Sequence, residues 1–159
     1  MKIIVTNDDG IYSPGILELK KAMELLGSVT LVAPDVQKSG VGHSITFSHP
    51  LRVRDVYTNG DFIGYGIDGS PADCVKLAVR EILKERSQLL VSGINIGANV
   101  GINVLYSGTV AAAIEGALLG IPSVALSLEI SESAPDVKGA AETAKDIIAL
   151  IMKKKLPRG

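Results

Sequence analysis

The chain has 159 residues, enough for one domain with its own core and short for two. Sixteen Lys and Arg stand against 17 Asp and Glu, a formal charge of −1, which excludes a basic footprint for nucleic-acid polymers or anionic lipid. One cysteine, Cys74, excludes an internal disulfide framework, and 4% aromatics with no Trp leave an aliphatic core without stacking platforms for single strands.

Residues 2–6 read as a short buried strand ended by the turn chemistry of Asn7-Asp8-Asp9-Gly10, and this apolar run is too short for a secretory signal. Pro14 opens a helix whose apolar face is Ile16, Leu17, Leu19, Ala22, Met23, Leu25 and Leu26, with Gly27 as its stop. Residues 29–33 form a second strand, followed by a Gly- and Ser-rich loop over 35–48. Residues 51–58 and 61–67 flank Asn59-Gly60 as a hairpin on a two-residue turn. Ser70-Pro71-Ala72-Asp73 carries cap, proline and first-turn acid for a helix over Val75, Leu77, Ala78, Val79, Ile82 and Leu83. A strand over 89–91, a helix over 110–119, a strand over 123–128 and a helix over 136–153 complete the order. The last helix is expected to turn Ala140, Ala144, Ile147, Ile148 and Ile151 inward.

Glu115 is the only charged residue between Leu89 and Leu128, yet Gly93, Asn95, Gly97, Asn99, Gly101, Asn103 and Pro122 break that stretch before it reaches membrane-spanning length. Alternating strand and helix predict a three-layer α/β/α sandwich with a mostly parallel sheet and a β-hairpin insertion, in a single domain over 1–159.

Ligands of such sheets sit beyond the carboxyl ends of the strands. Three polar clusters fall there: Asn7-Asp8-Asp9-Gly10, the 39–44 loop with Ser39 and His43, and the 93–99 segment leading to Ser107-Gly108-Thr109. Adjacent carboxylates repel, and a cation beside them removes the conflict; Asp8, Asp9, a Ser hydroxyl and an Asn carbonyl form an all-oxygen set suited to Mg²⁺, Mn²⁺ or Ca²⁺. The same Asp pair also suits a plain turn or helix cap. Ser107-Gly108-Thr109 before a helix offers donors for a phosphate, or an ordinary cap. His43 is a donor for a phosphate or leaving group, or a solvated loop histidine. Cys74 reads as a packed thiol.

Five ordered blocks over residues 5–116 resemble the survival protein SurE family of metal-dependent 5′/3′-nucleotidases. They are Val5-Thr6-Asn7-Asp8-Asp9-Gly10, Ser39-Gly40, Asp68-Gly69-Ser70-Pro71-Ala72-Asp73-Cys74-Val75, Ser92-Gly93-Ile94-Asn95-Ile96-Gly97-Ala98-Asn99, and Tyr106 through Gly116. The resemblance implies a Rossmann-like SurE fold and hydrolysis of nucleoside 5′- and 3′-monophosphates to nucleoside and phosphate. It implies one divalent ion, Mg²⁺ or Mn²⁺, on Asp8, Asp9, Ser39 and Asn95. Asp8 and Asp9 are then the catalytic pair, Ser107, Gly108 and Thr109 line the phosphate pocket, and Asn99 shapes the neighbouring turn.

Family members are longer, so the chain is expected to stop before the family's carboxyl-terminal region, at residues 153–159. The alternative that follows is a metal- and nucleotide-binding domain with little turnover. A cytoplasmic homodimer or homotetramer is expected, associating through the 51–67 hairpin and the Ile147-Ile148-Ile151 side of the last helix. Haloacid-dehalogenase-type phosphatases need two Asp one position apart after the first strand, and receiver domains an Asp after a central strand; neither pattern is here.

Overall fold

Strand β1 (Lys2–Thr6) lies inside the sheet, and its run Ile3-Ile4-Val5 is buried on both faces, as a parallel strand between two helical layers requires. The computed structural model describes residues 1–130 and 134–154, so residues 155–159, at the expected end of the family match, lie outside it. From β1 the chain passes through helix α1 (Pro14–Glu24) to β2 (Ser28–Pro34), then by the long loop to the hairpin β3 (Val53–Thr58) and β4 (Asp61–Ile67). Helix α2 (Pro71–Leu77) continues as a π-helical stretch (Ala78–Ile82) into β5 (Leu89–Ile96). A 3₁₀ turn (Gly101–Leu105), α3 (Gly108–Leu118), β6 (Ser123–Leu128) and α4 (Val137–Lys153) follow.

The six strands order as β3-β4-β2-β1-β5-β6, parallel except for the antiparallel β3–β4 hairpin at one edge. Alternate residues of each strand serve opposite layers. Ile3, Val5, Leu31, Ala33, Leu89 and Val91 pack with Ile16, Leu19 and Met23 of α1 and Ala141 and Ile148 of α4. Ile4, Val32 and Leu90 pack on the other face with Cys74, Val75, Ala78 and Ala112 from the α2 and α3 side. The α/β/α sandwich is therefore as expected. No helix among the described residues is long and apolar enough to cross a membrane.

Boundaries moved where backbone contacts overrode local pattern. β5 runs on to Ile96 because residues 95–96 re-pair with Ser127 and Leu128 after a register shift, so Asn95 sits on a strand end rather than in a loop. α3 starts at Gly108 and not near Val110, since Ser107 caps it by accepting from the Val110 amide at 3.2 Å. Helix α1 ends at Glu24, three residues before Gly27, whose missing side chain instead admits the Met1 backbone. Two expected core positions are outside: Leu25, which caps α1, is 75% exposed, and Ile147 is 51% exposed because Ala144 and Ile148 already fill the inner face of α4. No aromatic side chain is among the buried residues of either cluster; Tyr65 packs against the edge of the second, and Phe62 meets Tyr57 and Tyr65 edge-on along the hairpin.

α1 approaches the sheet so closely that a Cβ on Gly15 would collide with the Ile94 carbonyl oxygen, a backbone atom that cannot swing away. Gly15→Ala is expected to cost about 2 kcal/mol or more, whereas Leu25→Ala at its exposed site changes stability by less than about 0.5 kcal/mol. Urea midpoints at unchanged slope measure both.

Candidate functional site

The direction of chain connections reverses at β1: β2 lies on one side and β5 on the other. A crevice therefore opens beyond the carboxyl ends of β1 and β5. Asn7 shapes the first turn there. Its side chain is fully buried, accepting from the Gly10 amide at 3.1 Å and donating to the Gly10 carbonyl at 3.1 Å and Ser13 Oγ at 2.8 Å. Gly10, at φ +97°, completes a turn that few side chains tolerate. The result presents Asp8 and Asp9 side by side toward the crevice.

Asp8 is buried at 7% exposure, and its Oδ1 accepts from the hydroxyl of Thr109, itself fully buried in the first turn of α3. The helix start reaches Asp8 because Gly108 has no side chain: a Cβ there would stand 2.8 Å from Asp8 Cβ. Asp9 is half-buried, and Gln37 donates to its Oδ1 at 3.3 Å. Burial, then the neighbouring Asp8 charge, push the Asp9 carboxyl above the usual carboxylate range, with the Gln37 bond opposing them.

Lys38 donates its amide to the Asp8 carbonyl at 2.7 Å, which brings the loop after β2, and with it Ser39, to this turn. Asn95 arrives from β5. Its Nδ2 donates to the Gly97 carbonyl at 2.7 Å, leaving Oδ1 without a described donor. Asp8 Oδ2, Asp9 Oδ2 and the exposed Ser39 hydroxyl are also outside every hydrogen bond among the described residues. Four side chains from three segments thus each keep an oxygen available at one sheet edge. No cluster of three or more His, Cys, Asp or Glu occurs among the described residues, so a cation here meets two carboxylates and neutral oxygens. That donor set fits a hard divalent ion.

Ser107 caps α3, and the amides of Gly108 and Thr109 precede the first intrahelical bond, so they remain donors at the positive end of the helix dipole. Thr109 belongs to both groups of residues read from the sequence, since its hydroxyl is spent on Asp8. Asn99 donates to Ser127 Oγ at 2.9 Å and fastens its turn to β6. His43 lies against Glu115 of α3, Nε2 to Oε2 at 2.8 Å, six residues beyond Thr109 and so about 9 Å along the helix from it. Cys74 is fully buried, and burial raises its thiol well above the ordinary range, which keeps it protonated and inert.

Three further polar residues organise the site. Asn7 passed as one letter of a turn. Asp73 fits the sequence as the first-turn acid of α2, and it also takes the Thr46 amide at 3.2 Å and hydroxyl at 2.7 Å. Glu115 had a signal, a lone charge in a long uncharged stretch, but its partner His43 is 72 residues away.

The family described as "Survival protein SurE" matches residues 3–159. The chain is 47% identical to the 5′-nucleotidase SurE of Syntrophobacter fumaroxidans over its whole length, covering 63% of that protein. It is 50% identical to 5′-nucleotidase SurE 1 of Thermus thermophilus, again over the whole chain and 63% of the relative. The crystal structure of the SurE protein from Aquifex aeolicus superposes with a TM-score of 0.90 at 43% identity, over 99% of this chain and 62% of that one. The chain thus spans under two thirds of the length of these relatives.

Because native Asp9 holds its proton to higher pH than the unfolded chain does, stability of the metal-free protein falls as pH rises from the ordinary aspartate range through the raised native value. Saturating Mn²⁺ should reverse that decline, and Asp9→Asn should flatten it and raise the metal-free Tm by a few degrees. Thermal melts against pH, in chelator and in Mn²⁺, measure each effect.

Proposed function

This chain belongs to the survival protein SurE family, and from that premise we propose that it is a divalent-metal-dependent phosphatase acting on nucleoside 5′- and 3′-monophosphates. The observation that carries the reading is the junction of Asp8 with Thr109, which joins a carboxylate pair in need of a cation to a helix start able to take a phosphate. Asp8, Asp9, Ser39 and Asn95 would hold one Mg²⁺ or Mn²⁺. When bound, that ion supplies neutralisation of phosphoryl charge and acidification of water.

The chain's own groups do the rest. The Gly108 and Thr109 amides and the Ser107 hydroxyl bind the phosphoryl oxygens, with the α3 dipole favouring negative charge. Thr109 fixes the rotamer of Asp8, so one oxygen of that carboxylate is committed and the other is aimed. Asp8 and Asp9 are the adjacent carboxylates of this turn, and either would be placed to take a proton from the attacking water. Asn99 shapes the wall of the pocket through Ser127. His43, the remaining phosphate candidate from the sequence, has its Nε2 engaged by Glu115 and so holds the loop.

Self-association into a homodimer or homotetramer is supported by exposed Tyr57 and Phe62 on the hairpin and Ile147 and Leu150 on α4; Ile148 is buried and takes no part. A second reading of the same donor set is metal and nucleotide binding with little turnover.

Phosphate release from AMP with Mn²⁺ separates the two readings. Turnover is expected, and chelator should abolish it. Asp8→Asn should lower Mn²⁺ affinity by about 10- to 100-fold. Ser107→Ala should raise KM while leaving Mn²⁺ affinity unchanged, whereas Thr109→Ala should weaken both because Asp8 loses its partner. Full activity of Asp8→Asn in chelator would refute the assignment.

A further inference from the structure

We propose that Glu115 is a positioning residue that, acting through His43, clamps the 35–52 loop against α3 and so sets where Ser39 stands relative to Asp8 and Asp9. The inference rests on the reading of Ser39 as a cation ligand.

Glu115 is a buried carboxylate in the middle of a helix otherwise made of small and apolar residues, a place where a charge is costly unless paired. Both its oxygens face cations or donors: Oε2 meets His43 Nε2 at 2.8 Å, and Oε1 lies 3.9 Å from Lys76 Nζ of α2. The pairing reaches from one helix across to a loop, so it is tertiary in origin. None of the three side chains has a part in the proposed chemistry.

Ser39 lies on a short span fastened at its two ends. Upstream, the Lys38 amide donates to the Asp8 carbonyl at 2.7 Å. Downstream, the Gly42 amide donates to the Tyr106 carbonyl at 3.0 Å, and His43 follows at once with its bond to Glu115. Between them Gly40, at φ +67°, has open space around it, and Ser39 is exposed. Ser39 and Gly40 are exposed, and only Val41 and Gly42 of the span are partly buried. Its geometry is fixed by its two anchors, and the downstream anchor is one neutral backbone bond reinforced by the His43–Glu115 pair. The later fastenings of the loop, Ser44 to Ser70 at 2.7 Å and Thr46 to Asp73, lie farther from Ser39.

Groups that orient a ligand from outside the coordination set change metal affinity by about 10- to 100-fold. His43→Ala should therefore weaken Mn²⁺ binding about tenfold and speed amide exchange at residues 39–42. His43→Gln, which keeps a donor able to face Glu115, should recover most of both effects; a contact that served stability alone would move the melting temperature without this recovery in Mn²⁺ affinity.

The experiment is Mn²⁺ titration calorimetry with hydrogen exchange on wild type, His43→Ala, His43→Gln and Asp8→Asn. Loss of Mn²⁺ binding in Asp8→Asn with unchanged affinity in His43→Ala overturns the clamp and leaves the cation site standing. Unchanged Mn²⁺ binding in Asp8→Asn removes the cation site itself; the clamp is then judged on exchange alone, upheld by faster exchange at 39–42 in His43→Ala and overturned by wild-type rates.

Discussion

Two adjacent carboxylates held partly out of water at the end of an interior strand are the constraint around which this structure is arranged. Asp8 and Asp9 repel one another, and burial denies them the solvent that would screen the repulsion. The surroundings answer with donors. Thr109 takes one oxygen of Asp8, Gln37 one oxygen of Asp9, and Asn7 locks the turn so that the pair cannot rotate apart. These bonds leave the second oxygen of each carboxylate without a hydrogen-bond partner among the described residues. A site strained in this way is stabilised by whatever positive charge enters it, which is the thermodynamic meaning of preorganisation.

The three segments that meet at this turn arrive by different means. α3 comes close through the absence of a side chain at Gly108, so its position is a matter of backbone sterics. The strand end bearing Asn95 is set by re-pairing with β6. The loop bearing Ser39 has no regular pairing; Leu51 near its far end packs on the core, and the stretch around Ser39 depends on discrete polar bonds to α2, α3 and Tyr106. Order in the site is thus least redundant in the loop, where single side chains carry the geometry.

Much of this was legible in the sequence for reasons that are local. The continuous apolar runs Ile3-Ile4-Val5 and Leu89-Leu90-Val91 can only be strands buried on both faces, and caps such as Ser70-Pro71 announce a helix wherever they occur. The ends of elements depend on distant partners and were read less well: β5 outlasts its apolar run because β6 lies beside it, and Leu25 and Ile147 fit the helical period yet face solvent. Asp8, Asp9 and the Ser107 cap declared themselves by residue type. The joining of Thr109 to Asp8 and of Glu115 to His43 did not, since the partners are 101 and 72 residues apart and no pattern along the chain ties them.

The placing of aromatic rings at or beyond the margin of the core has an optical consequence. With no Trp, near-ultraviolet emission comes from four tyrosines, of which Tyr12, Tyr57 and Tyr106 are 61%, 56% and 61% exposed and Tyr65 is half-buried. Unfolding therefore changes the surroundings of these fluorophores little, and the aliphatic interior is nearly silent. Tyr12 follows the Asp8-Asp9 turn, and Tyr106 precedes the α3 cap and receives the Gly42 amide. Two of the four natural reporters thus flank the crevice, so tyrosine emission is a better gauge of events at the sheet edge than of the integrity of the fold.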